Sequence, residues 1–242
     1  MRVALISDLH ANAIALDAVL EDIGRVGVDR VICLGDVATL GPAPLEVIDT
    51  LQQLGCDCIL GNHDAFLLEP ELIHSYTEAP EVVQAVDWCR MQPSEAALGF
   101  LGTFLPTLSV ELDAHNTLLA YHGSPRSHTE DLLSTTPPEA LDLALAGHRA
   151  QVMAGGHTHL QMLRQHRGTL VVNPGSVGLP FEAFTGGGPP RVLPHSEYAL
   201  VESIDGSIAV TLRHLPLDRS RLHGAALAVD HPLAGMLAAQ YS

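Results

Sequence analysis

The chain has 242 residues, 47% hydrophobic and 17% charged, with a mean hydropathy of +0.21, enough apolar material for one large core within one or two domains at about 150 residues each. Its 28 Asp and Glu against 12 Lys and Arg leave a formal charge of −16, which excludes a grip on long nucleic acid through basic patches. No run of about 18 consecutive apolar residues reads as a membrane span, and the apolar run of the opening MRVALISDLHAN is too short for a signal-peptide core, so a cytoplasmic location is expected.

In chain order, the first apolar run, ALIS, leads into Asp8 and His10. From Ala13 to Val26 the apolar residues Ile14, Leu16, Ala18, Val19, Leu20 and Ile23 fall mostly at helical spacing behind Asn12, a suitable N-cap. A strand at Val31 to Leu34 leads to Asp36. Gly41-Pro42 then breaks the chain, and Pro44 to Leu54 reads as a helix closed by Gly55. A strand at Asp57 to Leu60 leads to Asn62 and His63. Strands alternating with helices predict a parallel arrangement, with Asp8, Asp36 and Asn62 at the carboxyl edge. Residues 66–105 read as a helical cap or flank, punctuated by Pro80, Pro93 and Pro106, with a helix start at Ser94-Glu95.

The second half turns to hairpin-like strands, Thr107 to Leu112 and Thr117 to Tyr121, the latter leading to His122. Thr136, Pro137 and Glu139 supply a cap, a first-turn proline and a capping-box acid for a helix at Ala140 to Ala146. A strand at Gln151 to Ala154 leads to His157 and His159, and further strands are expected at Met162 to His166, Thr169 to Val172, Tyr198 to Ser203 and Ile208 to Leu215. The sum predicts an α/β fold of two facing mixed β-sheets flanked by helices. It is expected to form one domain over 1–242, with an amphipathic C-terminal helix at 222–241 packed on its own chain. The Gly/Pro-rich stretch Thr185 to Pro194 reads as a surface loop that could fold over a cleft. Cys33, Cys56, Cys58 and Cys89 lack CxxC spacing and read as reduced packing residues, Cys56 and Cys58 sharing one strand face.

Five apolar runs thus end in Asp, Asn or His. The donors they collect, Asp8, His10, Asp36, Asn62, His63, His122, His157 and His159, mix hard oxygen with imidazole nitrogen. That mixture suits Mn²⁺, Fe²⁺, Co²⁺, Ni²⁺ or Zn²⁺.

The ordered blocks DLH, GD, GNHD, HG and GHTH, with GP after GD and NPGSVG at 173–178, resemble the calcineurin-like metallophosphoesterase superfamily. Within it they look like the compact bacterial branch that includes the YfcE-type phosphodiesterases, over Met1 to about Leu215. The resemblance implies a four-layer sandwich fold and two divalent transition-metal ions, manganese first, with iron, nickel, cobalt or zinc as alternatives. Asp8, His10, Asp36 and His159 would hold one ion and Asp36, Asn62, His122 and His157 the other. Asp36 would bridge, since a carboxylate can join metals about 3.5–4 Å apart whereas an imidazole serves one. A metal-bridging hydroxide would attack phosphorus in line, His63 would protonate the leaving oxygen, and Asp64 would orient His63. Arg126 in HGSPR is a phosphate contact or a surface ion pair, and Ser176 in NPGSVG lies in an anion-binding turn or a plain one. The implied function is hydrolysis of a small phosphodiester by a monomer or homodimer, with no stable nucleic-acid or membrane partner. The alternative is a noncatalytic scaffold, as in a retromer subunit with a degraded metal site. Departures from the branch pattern in DLHAN, VATLGP and FEAFTGGGPPRVLPHSEY leave the substrate class open.

Overall fold

A computed structural model of the chain describes residues 1–186 and 188–242; Gly187, within the loop expected at 185–194, lies outside the described residues. The first sheet is built on β1 (Arg2–Ile6), β2 (Arg30–Cys33) and β3 (Asp57–Cys58), all parallel, with Val3 opposite Arg30 and Cys33 opposite Cys58. Helices α1 (Ala13–Val26) and α2 (Pro44–Leu54) connect them. Asn12 caps α1 by accepting from Ala15 N–H at 3.1 Å, and Gly55 closes α2 in the left-handed region at φ 62°.

The second sheet holds β4 (Leu108–Glu111), β5 (Thr117–Ala120), β6 (Val152–Ala154), β7 (Met162–His166) and β8 (Thr169–Asn173) in the order β4-β5-β6-β8-β7. The hairpin β9 (His195–Ile204) and β10 (Ser207–Pro216) extends the first sheet, giving β10-β9-β1-β2-β3. Both sheets are therefore mixed and five-stranded.

Strand alternation sets the layers. Val3 and Leu5 face inward and meet Ile32, Ile59, Leu118, Ala120, Val152 and Val172 in the core between the sheets. Ala4 and Ile6 face outward onto Leu16, Val19, Val47 and Leu51 of α1 and α2. On the far side, Leu141 and Ala144 of α7 (Pro138–Ala144) cover Leu119, Met153 and Val171. The result is the expected pair of mixed sheets with helices outside.

Several boundaries differ from expectation, four of them with a visible physical cause or consequence. Strand β3 ends at Cys58, and Ile59 forms only an isolated bridge to Leu105. The 66–105 segment is broken into α3 (Asn62–Leu68), α4 (Ile73–Tyr76), α5 (Pro80–Arg90) and α6 (Glu95–Leu101), with Ser94 capping α6 as expected. Helix α7 begins at Pro138, because Thr136 Oγ1 accepts from Leu133 N–H at 2.9 Å and is spent on the preceding turn. The C-terminal segment forms two helices, α8 (Arg219–Leu227) and α9 (Ala234–Gln240), separated by a stretch containing Pro232, which cannot donate a helical hydrogen bond. Leu222, Ala226, Leu237 and Tyr241 pack on Ala85, Leu179 and Val192 of the same chain.

Candidate metal centre

The carboxyl ends of β1, β2 and β3 and of the parallel pair β5 and β6 deliver the side chains singled out above. Asp8, His10, Asp36, His157 and His159 all take left-handed backbone conformations, with φ between 44° and 69°. Non-glycine residues there cost of order 1–3 kcal/mol each, and here the strained turns point the side chains into one cleft. Close approach also requires glycine: a Cβ at Gly156 would strike Ser7 and lie 2.6 Å from Asp8 Oδ2.

Two groups of potential ligands form, Asp8 with His10 and His159, and Asp36 with His122 and His157. His10 Nε2 stands 3.0 Å from His159 Nε2, and His159 Nε2 stands 3.3 Å from Asp8 Oδ1. His159 Nδ1 donates to Leu179 O at 2.6 Å, which turns its Nε2 toward the cleft. In the second group His122 Nδ1 donates to Leu34 O at 2.7 Å, and its Nε2 lies 3.1 Å from Asn62 Oδ1 and 3.4 Å from Asp36 Oδ2. Asp36 Oδ2 is also 3.8 Å from His10 Nε2 and so faces both groups, while Oδ1 accepts from His63 N–H at 2.8 Å.

The charge states suit a cation. Burial opposes ionisation of Asp36, yet His122, His63 and His10 hold its carboxyl well below the usual range, and Asp8, with His159 beside it, falls to about 2 against burial. Burial pushes His10 well below its ordinary value, lowers His63 and takes His157 to about 4. Burial also disfavours charge on His122, but Asp36 outweighs it and lifts that ring to about 9. Among the described residues, buried Asp8 Oδ1, His63 Nδ1 and His157 Nδ1 lack any hydrogen-bond partner. Buried ionised carboxylates facing imidazoles, of which burial holds His10 and His157 neutral, are a donor set that a divalent transition metal satisfies once it displaces the His122 proton, so the residues present fit two such ions.

Asp64 departs from the contact expected of it, while Ser176 and Arg126 make the contacts of the plain turn and the surface ion pair weighed for them. Asp64 does not orient His63: Oδ2 accepts from Asp36 N–H at 2.8 Å and Gly61 N–H at 2.9 Å, and Oδ1 from Val37 N–H at 2.8 Å. Both oxygens are spent on backbone, so Asp64 holds the Asp36 turn against the start of α3. Ser176 is fully buried; its Oγ donates to Asp8 O at 2.7 Å and accepts from Leu179 N–H at 2.8 Å. The N–H groups of Gly175, Val177 and Gly178 are likewise taken by Asn173, Ser7 and Asp8, so NPGSVG braces the Asp8 turn instead of presenting donors to an anion. Arg126 pairs with Glu130 through both Nε, at 2.9 Å, and Nη2, which makes it a surface ion pair.

Residues 1–189 match the family model described as the calcineurin-like phosphoesterase superfamily domain. The chain belongs to that superfamily. A metallophosphoesterase from Sphaerobacter thermophilus superposes with a TM-score of 0.75 at 25% identity, over 99% of this chain and 100% of that one. YfcE, a phosphoesterase from E. coli, shares the fold with a TM-score of 0.50 at 22% identity, over 90% of this chain and 100% of its own. A symmetrical bis(5'-nucleosyl)-tetraphosphatase of Citrobacter koseri is 33% identical over 107 residues, 38% of each chain.

Sequence reasoning in the superfamily's motifs passed over two residues at this cleft. Tyr76 of α4 lies 6.1 Å from the ring of His63 and 6.3 Å from that of His157, and is 44% exposed. Asp131 sets Oδ1 3.4 Å from His157 Nε2. Neither belongs to a motif block: Tyr76 ends the short helix α4, and Asp131 lies outside any helix or strand.

Proposed function

We propose that the chain is a dinuclear, metal-dependent phosphoesterase that hydrolyses small phosphodiesters in preference to monoesters. The observation that carries this reading is Asp36 Oδ2, set 3.4 Å from His122 Nε2 and 3.8 Å from His10 Nε2, with buried His63 beside it. Asp8, His10, Asp36 and His159 would hold one ion, and Asp36, Asn62, His122 and His157 the other. When bound, the ions supply positive charge against the phosphoryl oxygens and a lowered pKa for water. His63, with a ring nitrogen lacking a partner among the described residues, donates a proton to the departing oxygen. Tyr76 closes the His63 side of the cleft and limits the water around that oxygen.

Manganese is our choice of resident metal and the cytoplasm our choice of compartment, the latter supported by the free state of Cys33, Cys56, Cys58 and Cys89. No helix among the described residues is long and apolar enough to cross a membrane. The activity named for the Citrobacter relative supports a small phosphorylated substrate, to which the ions in the cleft, and not the acidic surface, would present positive charge. A noncatalytic scaffold would have no use for His63 beside a complete donor set.

The test strips the purified protein of metal, reloads it with Mn²⁺ and follows bis-p-nitrophenyl phosphate and p-nitrophenyl phosphate, with His63→Ala alongside. Metal-dependent turnover, faster on the diester, should fall about 10²–10⁴-fold in the variant while its metal content stays at the wild-type level. Two bound ions without turnover of either ester would return the scaffold reading, and undiminished turnover in the variant would remove His63 from the reaction.

A further inference from the structure

The three thiols beneath the GNHD turn have no part in the chemistry above. Cys56 immediately precedes β3 and Cys58 lies within it, so their side chains share a face, and their sulfurs stand 3.8 Å apart. Cys33 sits opposite Cys58 in the strand register. Cys33 is wholly buried and Cys58 nearly so, whereas Cys56 is half-buried. A partly exposed sulfur here lies 3.8 Å from a buried one.

We propose that Cys56 and Cys58 form an oxidant-labile dithiol, converted by a hydroperoxide to an intramolecular disulfide. The Cys56 thiolate attacks one peroxide oxygen, the O–O bond breaks, and hydroxide, or for an organic peroxide alkoxide, leaves and takes up the thiol's proton. The Cys56 sulfenic acid so formed is attacked by Cys58 sulfur; the S–O bond breaks, the S–S bond forms, and the oxygen leaves as water with the Cys58 proton. Two thiols give up two electrons and the peroxide is reduced by two. Closure brings the sulfurs from 3.8 Å to about 2.05 Å. Cys56 is the attacking partner because it is the less buried one, and its thiol is lowered by the hydrogen bond with Cys58 while burial opposes.

Sequence makes the test direct, because Asp57 lies between the two cysteines and Asp36 separates both from Cys33. The full-length protein is reduced, freed of metal with a chelator and treated with hydrogen peroxide. Thiols are counted with a chromogenic disulfide, and the protein is digested without reductant by a protease that cleaves before aspartate. The expected result is loss of two of the four thiols and a peptide ending in Cys56 that stays linked to the peptide beginning at Asp57 until reductant is added. Cys56→Ser should retain its remaining three thiols, while Cys33→Ser should form the same link as wild type. A link between the Cys33 and Cys58 peptides, sulfinic acid on Cys56 alone, or four unreacted thiols would each overturn the proposal. None of these readouts depends on phosphoester turnover.

Discussion

Asp64 shows how a residue of a motif can serve the site without touching its chemistry. Three buried N–H groups, those of Gly61, Asp36 and Val37, end on its two oxygens. Removing the carboxylate in Asp64→Ala strands those donors, at about 1–3 kcal/mol for each buried group left unpaired. Urea denaturation should show a loss of several kcal/mol, and titration calorimetry should show weaker binding at both metal positions, because the Asp36 turn loses its brace. Unchanged metal binding in a destabilised variant would confine Asp64 to folding. Asp36→Asn separates charge from shape: the amide keeps the size but drops the charge that both ligand groups face, so both ions should weaken together, as read by metal content after dialysis. Loss of one ion alone would refute sharing. The motif blocks made Asp8, Asp36, Asn62 and the histidines legible because strand ends are legible. They could not reveal where Asp64, Ser176 and Arg126 spend their hydrogen bonds, since backbone N–H groups and the nearby Glu130 compete for these side chains only once the turns have folded.

At the scale of elements, α1 and α2 were readable to the residue because periodicity, caps and breakers agreed: Asn12, Pro44 and Gly55 each have one good conformation at a helix end. Strand β3 was overread, since the apolar run continues to Leu60 whereas the chain must turn early to let Gly35 and Gly61 pass. A Cβ on Gly35 would lie 2.6 Å from Gly61 N. The C-terminal helix pair hid its break behind an apolar pattern that continues through Leu233, and the join is where pH acts. His231 between α8 and α9 is 5% exposed and sets its ring 4.8 Å from Trp88 and its Nε2 3.7 Å from Cys89 Sγ. Burial takes it from 6.5 to about 4. The folded state therefore holds it neutral while the unfolded chain takes up a proton below about 6.5. Its contribution is complete above that pH and is lost as pH falls toward 4. A His231→Gln variant should lose less stability than wild type between pH 7 and pH 4, measured as the difference in urea midpoint; parallel curves would exclude His231 as the titrating group.

For the whole molecule, the centre joins the carboxyl ends of two sheets whose facing sides form an apolar core. His122, from the end of β5, bonds Leu34 O at the end of β2, and His157 N–H, beyond β6, bonds Asp8 Oδ2 beyond β1 at 3.0 Å. Ions held there bind only the folded chain, so mass action adds about 2.7 kcal/mol per site at a free concentration 100 times Kd. At roughly 2–4 °C per kcal/mol for a domain of this size, each ion should raise Tm by about 5–10 °C. The formal charge of −16 provides a competing cause, because any cation relieves self-repulsion across the acidic surface. The two separate by salt: screening shortens to about 3 Å at 1 M, which removes the surface effect but leaves bonds to Asp8 and Asp36, both essentially inaccessible to solvent. Thermal scans in chelator and in Mn²⁺, each at high NaCl, should keep most of the gap for wild type and lose most of it for Asp36→Asn. A gap that vanishes in salt would assign the stabilisation to the surface and leave the centre without bound metal.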